Sequence, residues 1–317
     1  MPSPLRLLAT RSASALCLLP AACAPAAAPE VEPRVQAAVT APAPDAQQPP
    51  LLRVMSFNLR YDTPSDGVNA WPNRRDWVGA LVRFHEADVV GVQEALVGML
   101  RDLDARLPGF DRVGVGRADG RQGGEFSAIL YRTARLALLD SGTFWLSPTP
   151  EVPGSKGWDA ALERIATWAR FRDRATGCTY LHLNTHFDHV GESARQESAR
   201  LIRHRLAALA AGDPVIVTGD LNTDPRSAAH RILTRDTIAD AVPPLADAFF
   251  ASETGHYGPT SSWTAFTAIE PDRRIDYVMV SRGVRVHSHG ILPDSWNGRF
   301  PSDHLPVLAT VEPCAGQ

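Results

Sequence analysis

Lysine is almost missing from this chain of 317 residues: Lys156 is the only one, and arginine supplies the rest of its 32 basic residues. A basic excess is missing as well. Those 32 residues face 35 Asp+Glu, for a formal charge of -3. That balance argues against the sequence-independent coating of nucleic acid that strongly cationic surfaces support, though not against cleavage of a phosphate backbone. Cysteine is scarce, at four. Cys17 and Cys23 fall in the first 50 residues, so only Cys178 and Cys314 remain for a folded region. No Cys-x-x-Cys metal site exists, and the two thiols leave open one disulfide or two buried free cysteines. No internal repeat and no second linker divide the chain. What is present is 44% hydrophobic residues, enough for a large soluble core.

Proline marks where that core begins. Ten of the 26 prolines lie at or before Pro50, a composition that cannot build packed structure. Arg6 and Arg11 precede a short apolar run, Ala13 to Leu19, and the small residues Ala21, Ala22 and Ala24. Charge, apolar run and small-residue site are the three parts of a secretory signal, and the run is too short to span a bilayer. Cys23 after Leu18-Leu19-Pro20-Ala21-Ala22 resembles a bacterial lipoprotein cleavage box, with Pro20 where such boxes usually carry Leu. Lipidation at Cys23 and ordinary cleavage near Ala22 or Ala28 both fit. The expected division is a signal peptide over 1–23, a Pro/Ala-rich tether over 24–50, a catalytic domain over 51–313 and a tail over 314–317. Export to the periplasm, the outer membrane or the medium follows.

Beyond Pro50, short apolar strands dominate. Leu51 to Leu59, Ala87 to Val92, Asp111 to Val115, Phe126 to Arg132 and Leu136 to Gly142 read as strands. So do Arg164 to Arg172 and Thr179 to Asn184, joined as a hairpin around Asp173 to Gly177, and then Pro214 to Thr218, Arg274 to Ser281, Val284 to Ile291 and Leu305 to Glu312. Helices are expected from Asn73, with Asp76 as its capping partner and Trp77, Leu81 and Phe84 on its apolar face, and over Ala95 to Leu107 and Glu192 to Ala211. Another helix is expected near Pro225. Many hairpin connections with interspersed helices predict two packed, mostly antiparallel sheets with helices outside.

Five of the apolar runs end in polar groups: Asn58, Gln93-Glu94, Asn184-Thr185-His186, Asp220-x-Asn222 and Ser302-Asp303-His304. Rigid strands bring their ends together. Hard divalent cations prefer oxygen ligands, which Glu94, Asp303 and Asn58 supply. Asp220 and Asn222 point the same way on extended backbone, so a carboxylate can orient water beside an amide. His304 and His186 can face charge developing on phosphorus. Each fragment also has a plain structural reading: Gln93-Glu94 as a solvated turn, Asp220 to Thr223 as a helix cap, Arg274-Ile275-Asp276 as a surface ion pair. Their order and joint occurrence favour the chemical one.

Ser56-Phe57-Asn58, Gln93-Glu94, Asn184-Thr185-His186, Gly219-Asp220-Leu221-Asn222, Arg274-Ile275-Asp276-Tyr277-Val278 and Ser302-Asp303-His304-Leu305-Pro306 resemble, in order, the motifs of the endonuclease/exonuclease/phosphatase superfamily with the DNase I-like fold. The likeness runs from Leu52 to Glu312. It implies an α/β fold of the α+β kind, a four-layer sandwich with the catalytic cleft between the edges of two sheets. It implies that Asn58, Glu94 and Asp303 hold Mg²⁺ or Mn²⁺ and that Asp220 orients the attacking water with Asn222 as partner. It implies further that His304 faces the phosphate with Asp276 holding its tautomer, and that His186 contacts phosphate or leaving group. Arg60-Tyr61-Asp62, Asn69-Ala70-Trp71-Pro72-Asn73-Arg74 and Gly157-Trp158-Asp159-Ala160 resemble a bacterial, often exported subgroup near the carbon-catabolite-repression type of deadenylase.

The expected activity is therefore metal-dependent phosphoester hydrolysis by one in-line water attack, nuclease-like and diester-directed. The subgroup likeness favours nucleic acid as the substrate, while a phospholipid head group, an inositol phosphate or a small phosphate ester fits the slightly acidic, exported chain equally. Trp71, Trp158, Trp263 and Trp296 are candidates for stacking bases or for lid packing. From other classes, a non-catalytic cell-surface binding module would need a lost metal carboxylate, and none is lost. A zinc site at His182, His186 and His189 fits the oxygen-rich set less well. Membrane association would come through a lipidated Cys23, and a monomer is expected.

Overall fold

The computed structural model describes residues 51–315. The expected signal peptide, Cys23 and the expected tether lie outside the described residues. In chain order the elements are β1 (Leu52–Asn58), α1 (Arg75–Phe84), β2 (Val89–Gln93), α2 (Val97–Arg106), β3 (Phe110–Val113), β4 (Ile129–Arg132), β5 (Leu136–Trp145), β6 (Ile165–Asp173), β7 (Thr179–His186) and α3 (Glu192–Ala210). There follow β8 (Val215–Asp220), α4 (Ala228–Thr234), β9 (Ala246–Asp247), α5 (Ala248–Ala251), β10 (His256–Tyr257), β11 (Asp276–Val280), β12 (Arg285–Ile291) and β13 (Val307–Glu312). One sheet runs β10-β12-β13-β1-β2-β4-β3 and the other β5-β6-β7-β8-β11-β9. Both are mixed, with β1–β2, β10–β12 and β7–β8 parallel and the remaining pairs antiparallel.

Strand alternation sorts the side chains into three cores. On β1, Leu52 and Val54 face the other sheet while Met55 and Phe57 face the helices. On β8, Ile216 faces inward and Val215 and Val217 outward; on β11, Val278 and Val280 face inward and Tyr277 and Met279 outward. The inner core draws on both sheets, a second packs α1 and α2 on the first sheet, and a third packs α3 and α4 on the second. This is the expected four-layer sandwich. At about 25 cal/mol per Å² of apolar area removed from water, such near-complete burial is the main force holding the layers together.

The sheets approach closely at one glycine. A Cβ on Gly91 would sit 2.1 Å from Thr218 Oγ1 and 2.5 Å from Asn184 Oδ1. In the space the missing side chain leaves, Gln93 Nε2 donates to Asn184 Oδ1 at 2.7 Å, and Thr218 Oγ1 donates to the same oxygen at 3.0 Å. Asn184 Nδ2 in turn donates to the carbonyls of Val92 and Ala128, both at 2.9 Å. A buried polar network of this kind fixes the register of one sheet on the other.

Several local expectations change. The first helix begins at Arg75, not Asn73, because two short 3-10 helices, Pro64–Asn69 and Trp71–Asn73, occupy that stretch. The Asn73 amide binds the carbonyls of Gly67 and Val68, and Asp76 meets Arg106. Phe84, the last residue of α1, is exposed. The helix expected near Pro225 starts at Ala228 and is capped by Ser227, whose Oγ accepts from His230 N. Cys178, just before β7, and Cys314, two residues past β13, form a disulfide, so the expected tail is bonded to the second sheet. No helix among the described residues is long and apolar enough to cross a membrane.

Candidate active site

The inner faces that build the core turn polar at one end of the sandwich. Leu52 and Val54 give way to Ser56 and Asn58, Val89 to Gly91 and Gln93, Tyr180 to His182, Asn184 and His186, and Ile216 to Thr218 and Asp220. Strand register aligns these ends. His186 pairs with Asp220 and Asp220 with Asp276 in the second sheet, and Asn58 pairs with Gln93 in the first. Neighbouring strands lie about 4.8 Å apart, so His186, Asp220 and Asp276 form one row. Asn58 closes the gap between the sheets, with Nδ2 donating to Asp220 Oδ2 at 2.9 Å and to Glu94 Oε1 at 3.0 Å.

The turns leaving these strands carry the rest. Glu94 and Asn222, with φ of 60° and 46°, follow β2 and β8 in the left-handed region, where non-glycine residues are strained by roughly 1–3 kcal/mol. Glu94 Oε2 accepts from Tyr61 N at 3.1 Å. Asp220 Oδ1 accepts from Asn222 N at 2.8 Å. Asn222 Nδ2 donates to the Phe187 carbonyl at 3.0 Å and lies 2.9 Å from His186 Nε2. The carbonyl contact fixes the amide's orientation, so His186 Nε2 accepts and its proton sits on Nδ1. Burial, with Arg164, Arg117 and His304 nearby, holds His186 well below its ordinary value and therefore neutral.

His304 is the opposite case. Its Nδ1 lies 2.8 Å from Asp276 Oδ2, which also accepts from Ser262 Oγ at 2.7 Å. Its Nε2 is 3.8 Å from Asp220 Oδ2. Burial alone would favour the neutral ring, but Asp276 and Asp220 raise His304 and hold it cationic. Burial also pushes the Asp220 carboxyl up, with Asp276 adding to it, against His304 and the bonds from Asn222 and Asn58. Asp303 is raised by burial too, with Glu94 adding. Ser302 Oγ ties this turn down by donating to the Asn58 carbonyl at 2.7 Å. Buried Arg74 ties the same region to the turn after β1, through the carbonyls of Leu59, Arg60 and Pro301.

Six of the eight residues that the sequence marks line one cleft of about 440 Å³, and the other two, Asn58 and Asp276, stand behind it, bonded to Glu94 and Asp220 and to His304. Glu94, Asp220 and His304 present ligand atoms within 4.8 Å of one another. Two carboxylates sharing one amide NH₂, and paired with no arginine or lysine among the described residues, suit a hard divalent cation. Asn58 spends its amide on Glu94, Asp220 and Arg60 N, and Asp303 lines the cleft beside the group. The three histidines of the zinc alternative separate: His182 is fully buried against Thr218, and His189 faces Arg164. Of the four tryptophans only Trp263 lines the cleft, edge-on to His304. Trp71 is buried on Asp102, Trp296 stacks on Trp77, and Trp158 is partly exposed away from it.

Sequence reasoning missed the cleft's arginine wall of Arg60, Arg117, Arg164 and Arg273. Arg60 is paired with Asp66, Arg117 with Glu125 and Arg273 with Glu270. Arg164 stands at the start of β6, beside the end of β7. In an antiparallel pair, a strand's start is as near the site as its neighbour's end, and that signal could have found it.

Residues 55–304 match the model of the Endonuclease/Exonuclease/phosphatase family. The structure is similar to an endonuclease/exonuclease/phosphatase from Bacteroides vulgatus, at 40% identity and a TM-score of 0.78 over 83% of this chain and 99% of that one. It is also similar to the mannosyl-6-phosphatase Bt3783 of Bacteroides thetaiotaomicron VPI-5482, at 36% identity and a TM-score of 0.76 over 82% of this chain and 99% of that one. Among curated proteins it is 23% identical to the CCR4-Not complex 3'-5'-exoribonuclease subunit Ccr4 of Emericella nidulans, over 83% of this chain and 52% of that protein. The chain spans about half the length of the Ccr4 relatives it matches.

Proposed function

The chain belongs to the endonuclease/exonuclease/phosphatase family, and on that premise we propose that it is a divalent-metal-dependent hydrolase of small phosphate esters, acting by in-line attack of a water held at Asp220. The observation that carries the reading is the row His186, Asp220, Asp276 facing Glu94 and Asn58 across the cleft, with His304 bridging Asp276 and Asp220. Glu94, with Asn58 and Asp303 beside it, would hold the cation next to Asp220. Mg²⁺ or Mn²⁺ bound there supplies charge neutralisation on the phosphoryl oxygens.

The chain's own groups do the rest. Asp220, raised by burial toward a value where it can accept a proton, takes one from the attacking water. The water oxygen bonds to phosphorus as the ester P–O bond breaks on the opposite side, and the leaving oxygen takes a proton from solvent to depart as the alcohol. His304, kept cationic by Asp276, and the Asn222 amide stabilise charge on the phosphoryl oxygens. His186, neutral with its Nε2 committed to Asn222, orients that amide.

Cleft size and charge favour a small ester. In a cleft of about 440 Å³, three of the four wall arginines are already paired with carboxylates, which suits a small ester better than a polymer. The mannosyl-6-phosphatase likeness supports the same reading. A nuclease-like diesterase is the second reading, favoured by the Ccr4 likeness. We also read the chain as exported, a reading the Cys178–Cys314 bridge supports because disulfides persist in oxidising compartments. Mass spectrometry of the mature N-terminus separates lipid on Cys23 from cleavage near Ala22 or Ala28; an intact Met1 would overturn export.

The test of the function is hydrolysis of p-nitrophenyl phosphate and bis-p-nitrophenyl phosphate with Mg²⁺ or Mn²⁺. Activity should vanish on chelation with EDTA and return with metal, and Asp220→Asn should lower kcat by about 10²–10⁴-fold. Metal-independent turnover, or an Asp220→Asn variant within tenfold of wild type, would overturn the assignment.

A further inference from the structure

One side chain in the cleft wall is left without the partners its burial demands. The Arg164 side chain is 4% exposed, and its Nε and Nη1 have no hydrogen-bond acceptor. Nη2 meets only His189 Nδ1, at 3.0 Å. The nearest carboxylate oxygen, Asp188 Oδ2, is 3.5 Å from Nε. Asp188 is already committed: Oδ1 accepts from the backbone N–H groups of Ala161, Val190 and Gly191, and Oδ2 from Leu162 N. The other three arginines of the wall each hydrogen-bond a carboxylate. A buried guanidinium with unmade hydrogen bonds is costly unless an anion completes it, and charge-assisted bonds to phosphate are among the strongest available to arginine.

We propose that Arg164 takes a peripheral oxygen of the substrate's phosphoryl group and makes the site select phosphate monoesters over diesters; this rests on the phosphoester-hydrolase reading above. A monoester dianion carries two charges and three non-bridging oxygens. A diester carries one charge and two such oxygens, and its third peripheral position bears carbon. Arg164 lines the cleft beside His186, Asp220 and Asn222, so an oxygen on phosphorus held there falls within the wall's reach. The crevice around Arg164, closed by Arg117, Glu125, Phe126, Ser127, Ile165 and His186, leaves no room for a water molecule. An acceptor for Arg164 must therefore come from the cleft side, where the side chain lines the wall.

The experiment compares kcat/KM for p-nitrophenyl phosphate and bis-p-nitrophenyl phosphate in the metal-loaded wild type and in Arg164→Gln. Wild type should favour the monoester by about tenfold or more, and Arg164→Gln should lower the monoester value about 10²-fold and the diester value less than about fivefold. Equal losses on both substrates, or a wild type that favours the diester, would overturn the proposal. Should Arg164→Gln fail to fold, Arg164→Lys keeps the charge without the fork and should still lose monoester rate selectively. Wild type tests it independently, since inorganic phosphate should inhibit more tightly than dimethyl phosphate; equal inhibition overturns it. Hydrolysis of neither ester by wild type would instead remove the phosphoester reading itself.

Discussion

Cutting the Cys178–Cys314 bridge should cost much stability and almost no activity. The bridge joins residues 136 apart, and loop closure over that length removes about 5 kcal/mol of unfolded-chain entropy at 25 °C, the upper end of what native bridges supply. It also stands at the far end of the sandwich. Cys178 precedes β7 and His186 ends it, a strand length of roughly 26 Å, and Cys314 follows the end of β13 while His304 precedes its start. The bridge therefore staples one sheet to the other where the cleft is not. At about 2–4 °C per kcal/mol for a domain of this size, Cys178→Ser with Cys314→Ser should lower Tm by ~10–20 °C. Its kcat/KM at 25 °C should stay near that of wild type. Calorimetry of both proteins with and without dithiothreitol is the assay, and only wild type should respond to the reductant. A double variant melting within 2 °C of wild type, or one losing activity in proportion to stability while still folded, would refute the reasoning.

Two further outcomes follow from buried imidazoles and their partners. Burial holds His182 at about 3, and burial with His256 nearby holds His289 at about 3. At neutral pH both are uncharged folded or unfolded and contribute nothing; below about 6.5 the unfolded chain gains protons the native state refuses, so each costs about 1.4 kcal/mol per pH unit. From pH 6.5 to 5 His182 alone should remove about 2 kcal/mol, and urea titrations of His182→Gln should show that slope missing; an unchanged slope refutes the assignment. Asp276→Asn should lower kcat by about 10²-fold or more, because the ring loses the partner that fixes its tautomer and charge. KM should change little, and the alkaline limb of the rate profile should move to lower pH because His304 without Asp276 loses its proton more readily; loss of KM alone would count against the positioning role.

Much of the fold was legible because the strands announce themselves twice, by alternation inside and by apolar runs where both faces are covered. β8 and β11 are buried on both sides, and their sequences read as continuous apolar stretches. The failures cluster where tertiary contacts override local signals. Asn73 looks like a helix cap, but its amide is drawn to the carbonyls of Gly67 and Val68. β9 and β10 are two residues each, too short for any period to register.

The site was legible for a different reason. An inner strand face must be apolar where two sheets pack, so a row that turns polar toward its end, as Ile216, Thr218 and Asp220 do, marks where packing stops and a cleft opens. Four such rows, on β1, β2, β7 and β8, converge by topology alone, and Ser302-Asp303-His304 joins them from the turn before β13. That logic finds acids, amides and imidazoles on the shared rim, and it is blind to arginines that belong to no row. Arg164, next to Glu163, is one of two charged residues just ahead of β6, which in sequence looks like any solvated strand start. Its meaning comes only from the Asp188 oxygens being consumed by backbone N–H groups, a fact of loop geometry. Sequence alone therefore points to the chemistry of phosphorus, while the choice among phosphate esters lies with a side chain whose missing partner only the folded structure reveals.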